Sequence, residues 1–254
     1  MSIIDIRNIV KSFSSGDRSV TAIDDISLSV DAGKFATVVG PSGCGKSTLL
    51  MLIGGLIKPT SGKVKVNGQE LTSPRPDLIG MVFQDATLLP WKTALGNVEF
   101  PLQLRGVNAK KRLGRAQELL GLVRLESFAG HFPHELSGGM RQRVGIARGL
   151  AHDPPILLMD EPFSALDEQN RTRMGQELLR IWDVTRKTVL FITHSLTEAV
   201  YLSDVVFVMS ASPGRIVETI EIDIPRPRSI DVIDTAEFGR IRNRIWHRIS
   251  AAES

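Results

Sequence analysis

Apolar residues, many of them β-branched, cluster in short runs along the chain, and polar segments separate the runs. The runs read SIIDIRNIV, ISLSV, FATVVG, KVKV, IGMVF, PILLMD, TVLFIT, VVFVM and RIVETIEIDI. Runs of this length and composition predict β-strands. Several are apolar almost throughout, which is typical of strands covered on both faces by helices.

Helical spacing of apolar residues occurs between these runs. One predicted helix presents leucine and isoleucine side chains from Leu49 to Ile57 and ends at the segment KPTSGK. Two others lie around residues 113–123 and 174–182. Because strands and helices alternate, the sequence predicts an α/β fold with a largely parallel sheet.

Residues 85–154 contain no run that predicts a strand. We therefore predict an all-helical subdomain at 85–154, inserted into an α/β core formed by residues 1–84 and 155–224. Residues 225–254 begin with prolines and basic residues and continue with apolar residues at helical spacing between 241 and 249. This tail is predicted to be a linker followed by an amphipathic helix.

The composition is that of an ordinary globular protein, with 254 residues of which 42% are hydrophobic and 23% charged. It excludes fibrous and intrinsically disordered classes. The formal charge of +3 is spread along the chain, so nucleic-acid binding gains little support. A single cysteine, Cys44, excludes an internal disulfide and suits a reducing compartment. Since no signal-peptide core and no run of roughly 18 apolar residues is found, we expect a cytoplasmic protein.

The segment GPSGCGKST at residues 40–48 matches the P-loop pattern and lies between the strand FATVV and an apolar-faced helix. Its glycines let backbone N–H groups converge on phosphate oxygens at the helix N-terminus. Lys46 would reach the β- and γ-phosphates, and Ser47 would supply a hydroxyl to Mg²⁺. Cys44 has no adjacent base and is interpreted as a residue of the loop that does not act as a nucleophile. The predicted nucleotide-binding residues of this loop are Gly40, Pro41, Ser42, Gly43, Cys44, Gly45, Lys46, Ser47 and Thr48.

The segment PILLMDEPFSALD places two carboxylates, Asp160 and Glu161, at the end of an apolar strand, where open α/β sheets bind ligands. Asp160 is suited to hold Mg²⁺, and Glu161 to polarise the attacking water as a general base. By itself the pair fits a helix cap or a solvated turn equally well. The P-loop upstream favours the catalytic interpretation.

Two further polar residues follow predicted strands. Gln84 comes after IGMVF and can contact the metal or the water. His194 comes after TVLFIT and can donate a hydrogen bond to the γ-phosphate from a neutral ring. Each of them, taken alone, is more often a surface or structural residue. We predict catalytic roles for both and a metal contact for Gln84.

The segment LSGGMRQRVGIARGL predicts a second helix with an anion-binding N-terminus. Ser137 is expected to cap this helix, and Gly138 and Gly139 leave the first helical N–H groups open to an anion. The arginines of the helix are expected to point largely outward. An ordinary capped helix would show the same pattern.

The motifs GPSGCGKST, VFQD, LSGGM, ILLMDEP, SALD and ITHS, in this order, resemble the ATP-binding subunit of ABC transporters over residues 1–220. The resemblance implies a RecA-like P-loop NTPase core with an N-terminal antiparallel β part and an inserted helical subdomain. It also implies ATP and Mg²⁺ as cofactors and two subunits stacked head to tail. In such a homodimer, ATP lies between the P-loop of one copy and the LSGG segment of the other.

The resemblance also implies roles for single residues. Phe13 is similar to the aromatic residue that stacks on adenine. The alternative is a phenylalanine of the core or of a turn. Gln84 resembles the coupling glutamine, His194 the switch histidine, and Asp167 the aspartate that links the two sites. The LSGG segment resembles the signature that contacts the partner's ATP.

Two positions depart from the common family pattern, since Met140 replaces the glutamine of the signature and Ser195 replaces the aspartate after the switch histidine. The first departure puts one polar contact to the partner's nucleotide in doubt. The second puts the orientation of the histidine ring in doubt.

The segment TLLPWKTALGNVEFPLQLRG and the tail resemble the branch that serves importers of nitrate, sulfonates and taurine. This implies two membrane permease subunits as partners, a solute-binding protein as an indirect partner, and no nucleic acid. It also implies a location at the cytoplasmic face of the inner membrane. The alternatives are a soluble ABC ATPase that acts on a protein assembly, a nucleic-acid-associated ABC ATPase, and a regulator that binds ATP without hydrolysing it. The predicted apolar dock for the permease consists of Leu88, Leu89, Pro90 and Trp91.

Overall fold

The computed structural model describes residues 2–15 and 18–252. The packing of the chain divides it into two compact units. The first unit contains the described residues up to Arg75 and from Arg186 onward, and the second is Pro76–Thr185. The domain bounds given above stay a prediction.

The described residues form strands and helices in alternation, as expected for an α/β fold. In chain order the strands are β1 (Ser2–Ser15), β2 (Arg18–Asp31), β3 (Phe35–Val39), β4 (Ser61–Val66), β5 (Gln69–Glu70), β6 (Ile79–Val82), β7 (Ile156–Asp160), β8 (Thr188–Ile192), β9 (Val205–Met209) and β10 (Ile216–Glu221). The helices are α1 (Lys46–Ile53), α2 (Ala94–Leu104), α3 (Ala109–Leu122), α4 (Gly138–Gly149), α5 (Glu168–Thr185), α6 (Leu196–Leu202) and α7 (Ala236–Ala252).

One sheet of the first unit is antiparallel. β1 pairs with both β2 and β4, and β4 pairs with β5. Ile4 of β1 lies opposite Val30 of β2 and Val66 of β4, and all three side chains are buried. The antiparallel β part predicted for the N-terminal region is confirmed.

A second group of strands in this unit is mainly parallel. β3 pairs in parallel with β8 and with β9, while β10 is antiparallel to β9. Every residue of β3, β8 and β9 is buried. This burial explains why these strands are apolar almost without interruption.

One helix is shorter than predicted, and two others, α6 and α2, were not predicted individually. α1 ends at Ile53 with Gly54 as its C-cap, so the predicted continuation to Ile57 is wrong, and Leu56 is 46% exposed. α6 has seven residues, too few for a helical period to be visible. α2 carries Pro101 in its interior, where proline normally opposes a helix.

The second unit contains β6 and β7, which pair in parallel with Ile79 opposite Ile156. Between these two strands the described chain contains no further strand, and its regular elements are α2, α3, α4 and short 3₁₀ turns. The all-helical insertion is therefore confirmed as part of the fold. None of the helices among the described residues is long and apolar enough to span a bilayer.

The C-terminal tail is anchored by arginines rather than running as a free linker. The guanidinium of Arg228 is buried and donates to the carbonyl oxygens of Val200 at 3.1 Å, Tyr201 at 3.0 Å and Ser203 at 2.7 Å. Burial lowers the pKa of Arg228 to about 10. The amphipathic helix follows as α7, with Phe238, Ile241 and Ile245 buried and Trp246 57% exposed.

Candidate functional site

The P-loop of the first unit requires glycine at positions where other residues would collide. Gly45, the N-cap of α1, has φ +100°, and a Cβ there would lie 2.8 Å from the carbonyl oxygen of Ala22. A Cβ on Gly40 would lie 2.8 Å from the carbonyl oxygen of Met209. The backbone of the loop can therefore approach its neighbours, and a ligand, more closely than side chains would allow.

Lys46 begins α1 and is 6% exposed. Its Nζ donates to the carbonyl oxygens of Gly40 at 2.9 Å and Pro41 at 2.8 Å. The ammonium is thus enclosed by its own loop. A cation held among glycine backbone groups at a helix N-terminus suits the phosphates of a nucleotide.

Cys44 is 1% exposed, and its burial raises the pKa of its thiol. The side chain is therefore a neutral thiol near pH 7, which agrees with the interpretation that Cys44 is not a nucleophile.

The loop at residues 212–214, which sequence reasoning missed, packs on this part of the P-loop. The Ser212 hydroxyl donates to the carbonyl oxygen of Gly43 at 3.2 Å, and a Cβ on Gly214 would lie 2.1 Å from the carbonyl oxygen of Cys44.

Phe13 lies on β1, opposite Val20 of β2, and is 46% exposed. The Lys11 ammonium is 4.9 Å from the centre of its ring. This exposure is not that of a core phenylalanine. The ring offers an aromatic face at the surface, and its contact with adenine stays a prediction.

His194 follows β8 at an exposed position, and a capped turn comes directly after it. The Ser195 hydroxyl caps α6 by accepting from the Glu198 backbone N–H at 3.3 Å. Thr193 donates to the Glu198 carboxylate at 2.5 Å and accepts from the Ser195 backbone N–H at 2.9 Å. Serine at 195 therefore fixes the turn that carries His194, and Thr193 and Glu198 were missed because their contact is not visible in a motif.

The two carboxylates of the second unit end β7. Asp160 is the last residue of the strand, and Glu161 has φ +41°. A left-handed backbone at a residue other than glycine costs on the order of 1–3 kcal/mol, so the surrounding turn must hold it. The carbonyl oxygen of Glu161 accepts from the Ser164 N–H at 3.1 Å and its hydroxyl at 2.9 Å, which hold this turn.

The LSGG segment forms the N-terminus of α4, as predicted. The Ser137 hydroxyl accepts from the Met140 backbone N–H at 3.3 Å. Ser137, Gly138 and Gly139 line a cavity of about 550 Å³ within the second unit. Met140, which stands where the family pattern has glutamine, lines the same cavity.

Charged residues complete this signature cavity. The charged residues of the lining are Arg124, Arg143, Arg173, Asp167 and Glu177. The charges nearly balance, and Arg124 lies 3.8 Å from the Glu177 carboxylate. The expectation that the arginines of α4 point largely outward is wrong for Arg143, which lines the cavity, and for Arg148, which donates to backbone carbonyls elsewhere in the unit.

Asp167 directly precedes α5 and accepts from the Asn170 backbone N–H at 2.9 Å and from the Asn170 side-chain amide at 2.6 Å. These hydrogen bonds hold the pKa of the Asp167 carboxyl below its usual value. The carboxylate is therefore charged at neutral pH, and it lies in the same cavity as the signature.

Gln84 is exposed and follows β6 after one residue. Its backbone carbonyl accepts from the side-chain amide of Gln142 on α4 at 2.5 Å. The backbone of Gln84 is thus hydrogen-bonded to the signature helix, that is, α4, which begins with the LSGG segment. Sequence reasoning missed Gln142 because a single glutamine within a helix gives no signal of a distant contact.

The donor types at the predicted metal residues suit Mg²⁺. Ser47 offers a hydroxyl oxygen, Asp160 a carboxylate and Gln84 an amide oxygen, which are the hard ligands that Mg²⁺ prefers. No cluster of histidine, cysteine and acidic residues that would favour a softer metal occurs in the described part of the chain.

Comparison with known proteins decides the family. The family model described as ABC transporter matches residues 23–164. The chain belongs to the ABC transporter family. It is 50% identical over 209 residues to a taurine import ATP-binding protein of Rhizobium johnstonii, with 82% of this chain and 79% of that protein covered. It is 46% identical over 222 residues to a nitrate import ATP-binding protein of Synechocystis sp., with 87% and 83% covered.

A solved structure gives the same result for the fold. A dimeric ATP-binding cassette in a post-hydrolysis state, bound to ADP and Pi, superposes with a TM-score of 0.77 and 35% identity. The match covers 87% of this chain and all 100% of that one. The P-loop fold and the resemblance to ABC ATP-binding subunits of the import branch are confirmed. The roles of the individual site residues stay predictions.

Proposed function

We propose that this ABC protein is a Mg²⁺-dependent ATPase that acts as a homodimer and drives a membrane importer. The observation that carries the proposal is that each chain has two surfaces suited to nucleotide phosphates. One is the P-loop around Lys46, and the other is the N-terminus of α4, where Ser137, Gly138 and Gly139 line the signature cavity. A head-to-tail pair would use both surfaces of each copy at two equivalent sites.

In this proposal, water attacks the γ-phosphate of ATP and releases ADP and inorganic phosphate. Glu161 takes the proton from the water as general base. Lys46 and the Ser137 hydroxyl of the other copy stabilise the charge on the γ-phosphate, and His194 donates a hydrogen bond to it. Ser47, Asp160 and Gln84 would hold Mg²⁺, which neutralises phosphate charge when it is bound.

The proposed importer contains two permease subunits and receives its solute from a binding protein. We place the ATPase at the cytoplasmic face of the inner membrane, held there by the permease. The names of the relatives favour a small solute such as taurine or nitrate. Measuring uptake of these solutes, in cells that lack this chain and in cells that regain it, tests the assignment.

The proposed contact with the permease is the apolar segment that follows Gln84. Trp91 is 71% exposed, and Pro90 is exposed beside it. A large, well-exposed aromatic side chain is a frequent centre of protein–protein interfaces. The exposure also argues against a core role for this tryptophan.

We expect Trp91→Ala to weaken binding to the permease by about 30-fold, the loss that corresponds to about 2 kcal/mol for an interface hot spot. The ATPase rate of the isolated subunit should stay near the wild-type value. Trp246→Ala is the matched control, because Trp246 is 57% exposed but lies on α7. Equal co-purification of the Trp91→Ala and Trp246→Ala proteins with the permease would remove this segment from the interface.

A further inference from the structure

Residues 84–87, which follow β6, are held against the signature helix by two long side chains of α4. Gln142 donates through Nε2 to the carbonyl oxygen of Gln84 at 2.5 Å. Arg148 donates through Nη2 to the carbonyl oxygen of Ala86 at 2.6 Å and through Nη1 to that of Thr87 at 2.8 Å. Consecutive parts of this segment are therefore fastened to one helix.

The contacts lie on one face of α4. Gln142 and Arg148 are six positions apart, and Gly145 lies midway between them. A Cβ on Gly145 would lie 3.6 Å from the Cβ of Ala86, so the segment runs close to the helix between the two side chains. Because the acceptors are backbone carbonyls, these contacts fix the path of the chain whatever its side chains are.

The burial of Gln142 is not explained by stability. The residue is 6% exposed, and its Oε1 has no hydrogen-bond partner among the described residues. A buried polar atom without a partner costs about 1–3 kcal/mol, whereas an apolar side chain of similar size would avoid that cost. The hydrogen bond to Gln84 gives this position a reason to be glutamine.

At Arg148, too, a cost of burial stands against hydrogen bonds to residues 84–87. Its burial lowers the pKa of the guanidinium, which means that the environment disfavours the charge. The guanidinium also reaches the Thr87 hydroxyl at 3.1 Å. The energetic cost of burying a cation is offset by its bonds to residues 86 and 87.

We propose that Gln142 and Arg148 are positioning residues that lock Gln84 to the signature helix. Gln84 and the LSGG segment then move as one body when the signature meets the nucleotide of a second copy. The inference rests on the proposed function, since it gives Gln84 a role in hydrolysis. Both residues act through the position of Gln84, because their contacts are with the backbone of residues 84, 86 and 87.

The first test measures how tightly the segment is held. A spin label is attached at Asp85→Cys, which is exposed, whereas the native Cys44 is 1% exposed and reacts poorly. We expect restricted label motion in the otherwise wild-type protein and clearly faster motion with Gln142→Met. Arg148→Lys should give an intermediate result, because one ammonium replaces the two-pronged guanidinium.

The second test measures Mg-ATP turnover of unlabelled variants. We expect Gln142→Met to lower kcat by about 10- to 100-fold, as small misplacements of a catalytic group do, with KM for ATP within a few-fold of wild type. The thermal unfolding midpoint should stay equal or rise. Arg115→Met is the matched control, because Arg115 donates to the Leu150 carbonyl at 3.4 Å and has none of these contacts with residues 84–87.

The outcomes separate the inference from the proposed function. Unchanged label motion in Gln142→Met, or a fall in kcat that Arg115→Met shares, would overturn the inference. So would a lowered unfolding midpoint in Gln142→Met that accounts for the lost activity. If the wild-type protein fails to hydrolyse Mg-ATP, the proposed function fails, and the label motion still decides whether the two side chains hold the segment.

Discussion

Glu161→Gln should lower Mg-ATP hydrolysis by roughly 10²- to 10⁴-fold while leaving Mg-ATP binding intact, because the amide cannot accept the proton of the attacking water. Glutamine keeps the size and shape of the side chain. The turn should also survive, since Ser164 holds it through the backbone carbonyl of residue 161. Steady-state turnover and binding of a fluorescent ATP analogue measure the two quantities.

A glutamate nearby in sequence gives the control for this experiment. Glu168 lies in the first turn of α5 and is exposed, so Glu168→Gln removes the same charge a short distance along the chain. We expect turnover close to wild type for this variant. If Glu161→Gln retains turnover within a few-fold of wild type after contaminating ATPase is excluded, Glu161 is not the general base.

The second prediction concerns the two phosphate surfaces of each chain, tested in forced heterodimers. Lys46→Ala disables the P-loop, and Ser137→Ala disables the signature. If each site joins the P-loop of one copy to the signature of the other, pairing a Lys46→Ala chain with a Ser137→Ala chain leaves one site intact. Pairing the doubly substituted chain with wild type damages both sites. We therefore expect clearly higher ATPase activity from the first pairing than from the second.

The opposite ranking would show that each chain uses its own signature. Cooperativity between the sites can depress every heterodimer, but it should not reverse their order. Ser137→Ala also removes the N-cap of α4, a loss worth about 1 kcal/mol. Asn108→Ala controls for that loss, because Asn108 caps α3 by accepting from the Lys110 backbone N–H at 3.0 Å.

The sequence predicted the parts of the site that depend on local patterns. The P-loop was evident because a strand, a glycine-rich loop and an apolar-faced helix follow one another directly. The cap at Ser137 was evident because capping involves neighbouring residues. In each case the physical cause and the sequence signal lie within a few positions of each other.

Contacts between distant segments were not predictable in this way. The bond from Gln142 to the Gln84 carbonyl joins residues 58 positions apart, and its acceptor is a backbone atom that every residue has. The packing of Gly214 on the P-loop likewise depends on where a later loop returns in the fold. The positive φ of Glu161 depends on the turn around it rather than on a glycine or asparagine that would announce it.

The anchoring of the tail by Arg228 has a consequence for biosynthesis. The residue binds carbonyls on a segment made earlier, at Val200, Tyr201 and Ser203. During translation these carbonyls leave the ribosome before Arg228 does. They therefore gain their arginine only after residue 228 has emerged. A chain that terminates before Arg228 would keep them exposed, which offers cellular quality control a way to distinguish it from the finished protein.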